Sequence, residues 1–217
     1  MFNIKTQLNI PLCIFNCTFA KVSLLKKVMK QRGEVVKEKI IDAATRLFYN
    51  QGYNLTGINQ VIEEADIAKR SLYNHFDSKT DLLLSYLDKL QDDWYRDVAV
   101  YLSPFKDPKK KLLALFDYRI QNQLNLNYGG CAFVKINAEA GCTDERILKR
   151  ARQNKDKLKD LIGSILAEFE RKSSQILSIE ELTRMVYLMM EGGVTSTSIY
   201  KDVNELRAAK KLLSKIL

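Results

Sequence analysis

Residues 56–83 read Thr56-Gly-Ile-Asn-Gln-Val-Ile-Glu-Glu-Ala-Asp66-Ile-Ala-Lys-Arg70-Ser-Leu-Tyr-Asn-His75-Phe-Asp-Ser78-Lys-Thr-Asp-Leu-Leu83. Ile58, Val61 and Ile62 share one face of a short helix over 57–64, with Thr56 as its N-cap. Asp66 falls in a tight turn, and a second short helix covers about 68–75. Two short helices joined this way, with apolar residues where they cross, form the minimal helix-turn-helix unit. The packing set is Ile58, Val61, Ile62, Ala65, Ile67 and Leu72. The other face of the second helix carries Lys69, Arg70, Ser71, Tyr73, Asn74 and His75. Long donors near a helix N-terminus, with an Asn and a Tyr, suit a DNA major groove and its flanking phosphates. The same spacing fits a plain helical hairpin with a solvated charged face, and pattern alone leaves both open.

Outward from this stretch the chain reads as helix after helix. Val36, Ile40, Ile41, Ala44, Leu47 and Phe48 recur at three- and four-residue spacing, predicting an amphipathic helix over about 34–51 that Gly52 ends. Ser78, with Asp81 three residues on, starts a helix running to about 102. Asp107-Pro108 opens a fifth helix, with Pro in the first turn, where a missing N–H costs nothing. Further helices are expected over 131–140, from a Thr143 cap to about 171, from a Ser178 capping box to about 198, and over 202–216. The fold class is therefore all-α, with about nine helices. Three Pro and nine Gly in 217 residues leave long stretches without a breaker.

Composition excludes several classes. No apolar run reaches the ~18 residues of a membrane span. The single histidine, His75, rules out a His-rich metal site or a histidine relay elsewhere, and Cys13, Cys17, Cys131 and Cys142 show no CxxC pair, so no metal or other cofactor is expected. We read reduced thiols in a cytoplasm. No Gly-rich phosphate loop or paired-carboxylate motif is visible, so an enzyme is not expected. Of the net charge of +9, Lys5, Lys21, Lys26 and Lys27 supply +4 before residue 29, and residues 30–80 are nearly balanced. Net charge alone thus does not argue for nucleic acid. Residues 1–28 lack a clear period and read as a poorly ordered extension or as sequence upstream of a true start at Met29.

The block Leu72-Tyr73-Asn74-His75-Phe76, followed by Ser78-Lys79 and an apolar pair, closely resembles the DNA-binding signature of the TetR/AcrR family of repressors. Phe48 and Gly52-Tyr53 at the end of the first long helix match it too, so the resemblance is strong over 34–84. One departure is Asp66, where the turn usually has Gly; Asp tolerates the left-handed conformation better than most residues. The resemblance implies an N-terminal three-helix DNA-binding domain over 29–77 and a helical regulatory and dimerisation domain over 78–217. It places Thr56, Tyr73, His75 and Lys79 on phosphates, and Asn59, Lys69, Arg70, Ser71 and Asn74 at or near base edges, with Lys30, Arg32 and Lys37 as a basic arm. The implied partners are a double-stranded operator, a second copy joined through the last two helices, and an inducer, with no membrane. Met189, Gly192, Gly193, Val194, Ile199, Leu206, Leu212 and Leu213 would supply the dimer face.

Residues 129–141, from Gly129-Gly130-Cys131 through Glu139 to Gly141, resemble an element of the subgroup that includes the N-ethylmaleimide-responsive repressors. That likeness puts a reactive thiol at Cys131. A thiol at a helix start meets partial positive charge, which favours the thiolate, and Gly129 and Gly130 would leave it accessible. A free cysteine is also commonly a small buried hydrophobe. Cys142 would be a resolving partner. Trp94, Tyr118, Asn122, Phe133, Asn137, Met185 and Met189 are candidates for a ligand pocket, although aromatics and Met at helical spacing also build plain core. The basic residues of 146–159, Lys155 among them, read as a solvated surface. A helical adaptor without operator binding is the competing function.

Overall fold

A computed structural model describes residues 33–142, 144–169 and 177–217. The described residues form α1 (33–51), α2 (Ile58–Glu64), α3 (Lys69–Tyr73), α4 (Lys79–Leu102), α5 (Pro108–Asn125), α6 (Ala132–Ala140), α7 (Glu145–Ala167), α8 (Ile179–Tyr200) and α9 (Asn204–Ile216), with no strand among them. The expected extension over 1–28, with Cys13 and Cys17, and the basic arm residues Lys30 and Arg32 lie outside the described residues.

The caps explain most of the boundaries. Ser78 starts α4, its hydroxyl accepting from the Asp81 N–H and donating to the Asp81 carboxylate at 2.6 Å. Asp107 caps α5 ahead of Pro108, and Ser178 and Glu181 form a capping box on α8. Two expected caps are displaced. Gly57, not Thr56, is the N-cap of α2, and its N–H donates to Gln60 Oε1 at 2.7 Å. Asp144 caps α7 by accepting from Arg146, and the expected cap Thr143 lies outside the described residues. The α7 helix ends at Ala167 rather than near 171.

Two cores hold the chain. The first joins α1, α2, α3 and the start of α4 through Ile40, Phe48, Val61, Leu72, Leu82 and Tyr86, and it also takes Phe133, Ile136 and Ala140 from α6. The second joins α5, α7, α8, α9 and the end of α4 through Val98, Leu115, Ile162, Val186 and Leu213. Thus α4 runs through both cores, and Cys131, the N-cap of α6, packs against both. Asp66 makes the turn between α2 and α3 at φ 50°, the left-handed conformation its short polar side chain tolerates.

Candidate functional site

In the first three helices the packing set faces inward as the spacing required. Val61, Ala65 and Leu72 are buried, and Ile58, Ile62 and Ile67 pack against them. This leaves Lys69, Arg70, Tyr73 and Asn74 exposed on α3, with Ser71 half-buried beside them and Asn59 exposed on α2. His75 is half-buried near Gly33 at the start of α1, where Lys37 is also half-buried. Lys79 lies over the Tyr53 ring at 4.1 Å; burial lowers its pKa, partly offset by the charge of Glu139. Thr56 is 1% exposed, its hydroxyl donating to the Gly52 carbonyl and accepting from Gln51. Its side chain is therefore committed to closing the α1–α2 corner, and its N–H donates to the Tyr53 carbonyl at 3.3 Å, so the expected phosphate contact of Thr56 is corrected: its donors are already used inside the chain.

Behind this head, a cavity of about 390 Å³ opens beside Cys131. Of the residues singled out from sequence, Trp94, Tyr118, Asn122, Cys131 and Phe133 line it. Met185 and Met189 instead pack, half-buried, into the second core, and neither they nor Asn137 line the cavity. Cys142 is exposed past the far end of α6. Eleven residues of mostly helical rise, ~1.5 Å each, separate it from Cys131, well beyond the ~7 Å Cα limit of a disulfide. A resolving role for Cys142 within one chain is therefore corrected: α6 holds the two thiols apart.

The loop before α6 is fixed from behind. Gln123, 1% exposed on α5, accepts from the Gly130 N–H at 2.9 Å, donates to the Gly130 carbonyl at 3.3 Å, and accepts from Thr197 of α8 at 2.9 Å. Gly130 sits at φ 75°, a conformation that strains any side chain. Gly129 does not open the thiol to solvent; the Tyr49 hydroxyl lies where a Cβ would go. Cys131 itself is half-buried, and its sulfur accepts from Lys155 Nζ at 3.3 Å.

Lys155 is the exception among the basic residues of α7. Its side chain is 16% exposed and donates to Glu191 of α8 at 2.5 Å. Burial alone would lower its pKa, but the Cys131 sulfur and the Glu191 carboxylate outweigh burial and hold it above the ordinary lysine value. Arg119 of α5 completes the group, stacked on Trp94 at 5.0 Å and 3.7 Å from Glu191. Arg119, Glu191 and Gln123 went unmarked in the sequence, and the reading of Lys155 as solvated surface is corrected: its side chain is 16% exposed and paired with Glu191. The only signal available was an ionisable residue on an otherwise apolar helix face, which is faint beside many surface charges.

A family model for bacterial regulatory proteins of the tetR family matches residues 40–86. Over 172 residues the chain is 28% identical to the HTH-type transcriptional regulator LmrA of Bacillus subtilis, covering 78% of this chain and 90% of LmrA. Over 120 residues it is 30% identical to the HTH-type transcriptional activator FasR of Mycolicibacterium smegmatis, covering 49% of this chain and 54% of FasR. The crystal structure of reduced E. coli NemR shares the fold, with a TM-score of 0.70 at 20% identity over 83% of this chain and 96% of that one. The chain belongs to the TetR family of transcriptional regulators. Its helix-turn-helix is the family's DNA-binding unit, and its relatives are regulators rather than enzymes. No described helix is long and apolar enough to cross a membrane.

In this TetR-family chain the head is tied to the cavity through α6. The Asn54 N–H donates to Glu139 Oε2 at 3.0 Å, and Asn54 Nδ2 donates to the Glu139 carbonyl at 3.1 Å. Lys135 lies over the Tyr49 ring at 4.8 Å and donates to the Tyr49 carbonyl at 3.4 Å. From α7, Arg146 reaches Asp81 at 2.7 Å and Arg150 reaches Asp88 at 3.0 Å, both on α4. The expected dimer face is partly corrected. Gly193, Val194, Leu206 and Leu213 are buried inside the chain, where Leu206 lies against Gly193. Ile199, Leu212 and Gly192 of the expected set are exposed, and Leu188 and Tyr200 of α8 and Ile216 of α9 are exposed beside them.

Proposed function

We propose that this regulator is a repressor that binds a palindromic operator as a homodimer and releases it when a small molecule or an electrophile acts at the cavity beside Cys131. The observation that carries the reading is the polar face of α3, left free because Leu72 anchors the helix to the first core. Arg70, Lys69, Asn74, Ser71 and Asn59 are the residues to read or approach base edges, while Tyr73, His75 and Lys79 hold phosphates; phosphate contacts fix register and base contacts specify sequence. A two-fold dimer through the exposed residues of α8 and α9 would set its two α3 helices about 34–36 Å apart, or a multiple of a turn, to reach successive major grooves.

The signal would act through α6, whose N-cap is Cys131 and whose last turn holds the head through Glu139. A thiol adduct, or a ligand in the cavity, would repack Phe133 and shift the population toward dimers with a different head spacing. A full switch needs ~5.5 kcal/mol of differential affinity. The test is selection from random duplexes, followed by gel shift of the enriched sequence before and after treatment with N-ethylmaleimide. Enrichment of a two-fold symmetric site, released by treatment of the parent protein but not of Cys131→Ser, supports the reading. No enrichment favours the helical adaptor. Enrichment with release unchanged in Cys131→Ser leaves reversible ligand binding as the signal.

A further inference from the structure

Charge does not balance behind Cys131. Two cations, Arg119 and Lys155, face one carboxylate, Glu191, and all three side chains are at most 17% exposed. Lys155 takes Glu191 Oε2. Arg119 is left 3.7 Å from Oε1, beyond hydrogen-bond range, and neither Arg119 Nε nor Glu191 Oε1 has a partner. Arg119 as a whole is 9% exposed and lines the cavity. A buried charge without an adequate counter-charge and hydrogen bonds is costly.

Other positive features face the same space. Gly130, Cys131, Ala132 and Phe133, the start of α6, line the cavity, and Cys131 makes no side-chain cap. The first backbone N–H groups of a helix lack partners in a preceding turn, and together with the helix dipole they favour an anion. The Trp94 indole N–H is likewise buried without an acceptor. Acidic residues do line the rim, but they are already matched: Asp93 pairs with Arg96 at 2.7 Å and Lys89 at 3.4 Å, and Asp97 lies 3.6 Å from Arg96. Arg46, also on the rim, pairs with Glu64 at 2.7 Å. The interior is left with donors and positive charge, while Trp94, Tyr118 and Phe133 supply apolar wall.

We propose that the cavity is an organic-anion site, taking a one- or two-ring carboxylate with its head at Arg119 and the N-terminus of α6 and its ring against Trp94, Tyr118 and Phe133. The proposal deepens the regulator reading by naming the class of signal, yet its test contains no DNA, so failure here leaves operator binding untouched. Trp94 is the chain's one tryptophan, so quenching of its emission, excited at 295 nm, reports occupancy, and calorimetry gives an independent Kd. The probes are 3-phenylpropanoate and 2-naphthoate, each against its neutral amide, with the naphthyl pair read by calorimetry alone. The expected result is saturable binding of each acid at least tenfold tighter than its amide, a preference erased in Arg119→Gln, kept in part in Arg119→Lys, and kept in Cys131→Ser. Acid and amide binding within threefold of each other on the parent protein would overturn the proposal, as would a preference that survives unchanged in a folded Arg119→Gln. If Arg119→Gln does not fold, the acid–amide ratio on the parent and on Arg119→Lys decides.

Discussion

Gln123 holds three partners at once, so the geometry of the Gly130 loop and the register of α5 on α8 depend on one amide. Replacing it with Leu leaves the Gly130 N–H and carbonyl short of a partner inside the protein, while the Thr197 hydroxyl keeps the Val194 carbonyl at 2.7 Å. Such orphaned groups cost ~1–3 kcal/mol each. Gln123→Leu is therefore expected to lower the urea midpoint with little change in slope; a midpoint within error of the parent would show that the loop does not need the amide. Asp81 offers a pH test. The Ser78 hydroxyl and then the Arg146 guanidinium hold its pKa below the ordinary value. A depressed folded pKa means that this contribution is complete above pH ~4, the unfolded value, and is lost as pH falls through the lower folded value. Arg146→Gln should thus narrow the stability difference from the parent as pH drops from 5 to 2.5. Placement was legible where one periodicity decided it, as for buried Leu72 and exposed Arg70. It was not legible for Thr56, whose hydroxyl finds the Gly52 carbonyl four residues back in the corner, or for Lys155, whose partners come from α6 and α8.

At the scale of elements, α6 spans the distance from the cavity to the head in nine residues. Its N-cap is Cys131 and its first turn carries Phe133; its last turn carries Glu139, bound to Asn54. Coupling between two sites is typically worth 1–3 kcal/mol. Glu139→Ala is expected to leave operator affinity close to that of the parent while cutting ligand- or electrophile-driven release by roughly threefold to tenfold, a share of that coupling. Gel shift with and without effector checks it; full release in the variant would move the coupling elsewhere, to Arg146 and Asp81 or to α4. The caps at Ser78, Asp107 and Ser178 were legible because a side chain there meets an N–H three residues on. The end of α7 was not, because Glu168-Phe-Glu-Arg-Lys172, all compatible with a helix, carries no breaker past Ala167. The inward side of α9 was hidden too: Leu206 and Leu213 share an apolar stripe with Leu212, and only packing against α8 decides which of them reach solvent.

For the whole molecule, Leu188, Ile199, Tyr200, Leu212 and Ile216 form exposed apolar surface on the last two helices, the kind that marks an interface. Leu188→Asp is expected to give monomers in sedimentation velocity and to weaken operator binding by at least a hundredfold, since each half-site is then bound alone; an unchanged dimer would place the interface elsewhere. The helical class and the head were readable from periodicity and one local signature because both depend on residues close in the chain. The cavity was only half readable, since Arg119 in its wall belongs to a charged group that assembles from α5, α7 and α8 over long sequence separations. The reading rests above all on α3 meeting base edges in a duplex. The most direct test is fluorescence anisotropy of Arg70→Ala and Lys79→Ala on the selected operator and on random DNA, across a salt series. Arg70→Ala should lose about 1–3 kcal/mol on the operator and far less on random DNA, whereas Lys79→Ala should lose similarly on both and flatten the salt slope by about one. Equal losses for both variants on both DNAs would contradict base reading by α3.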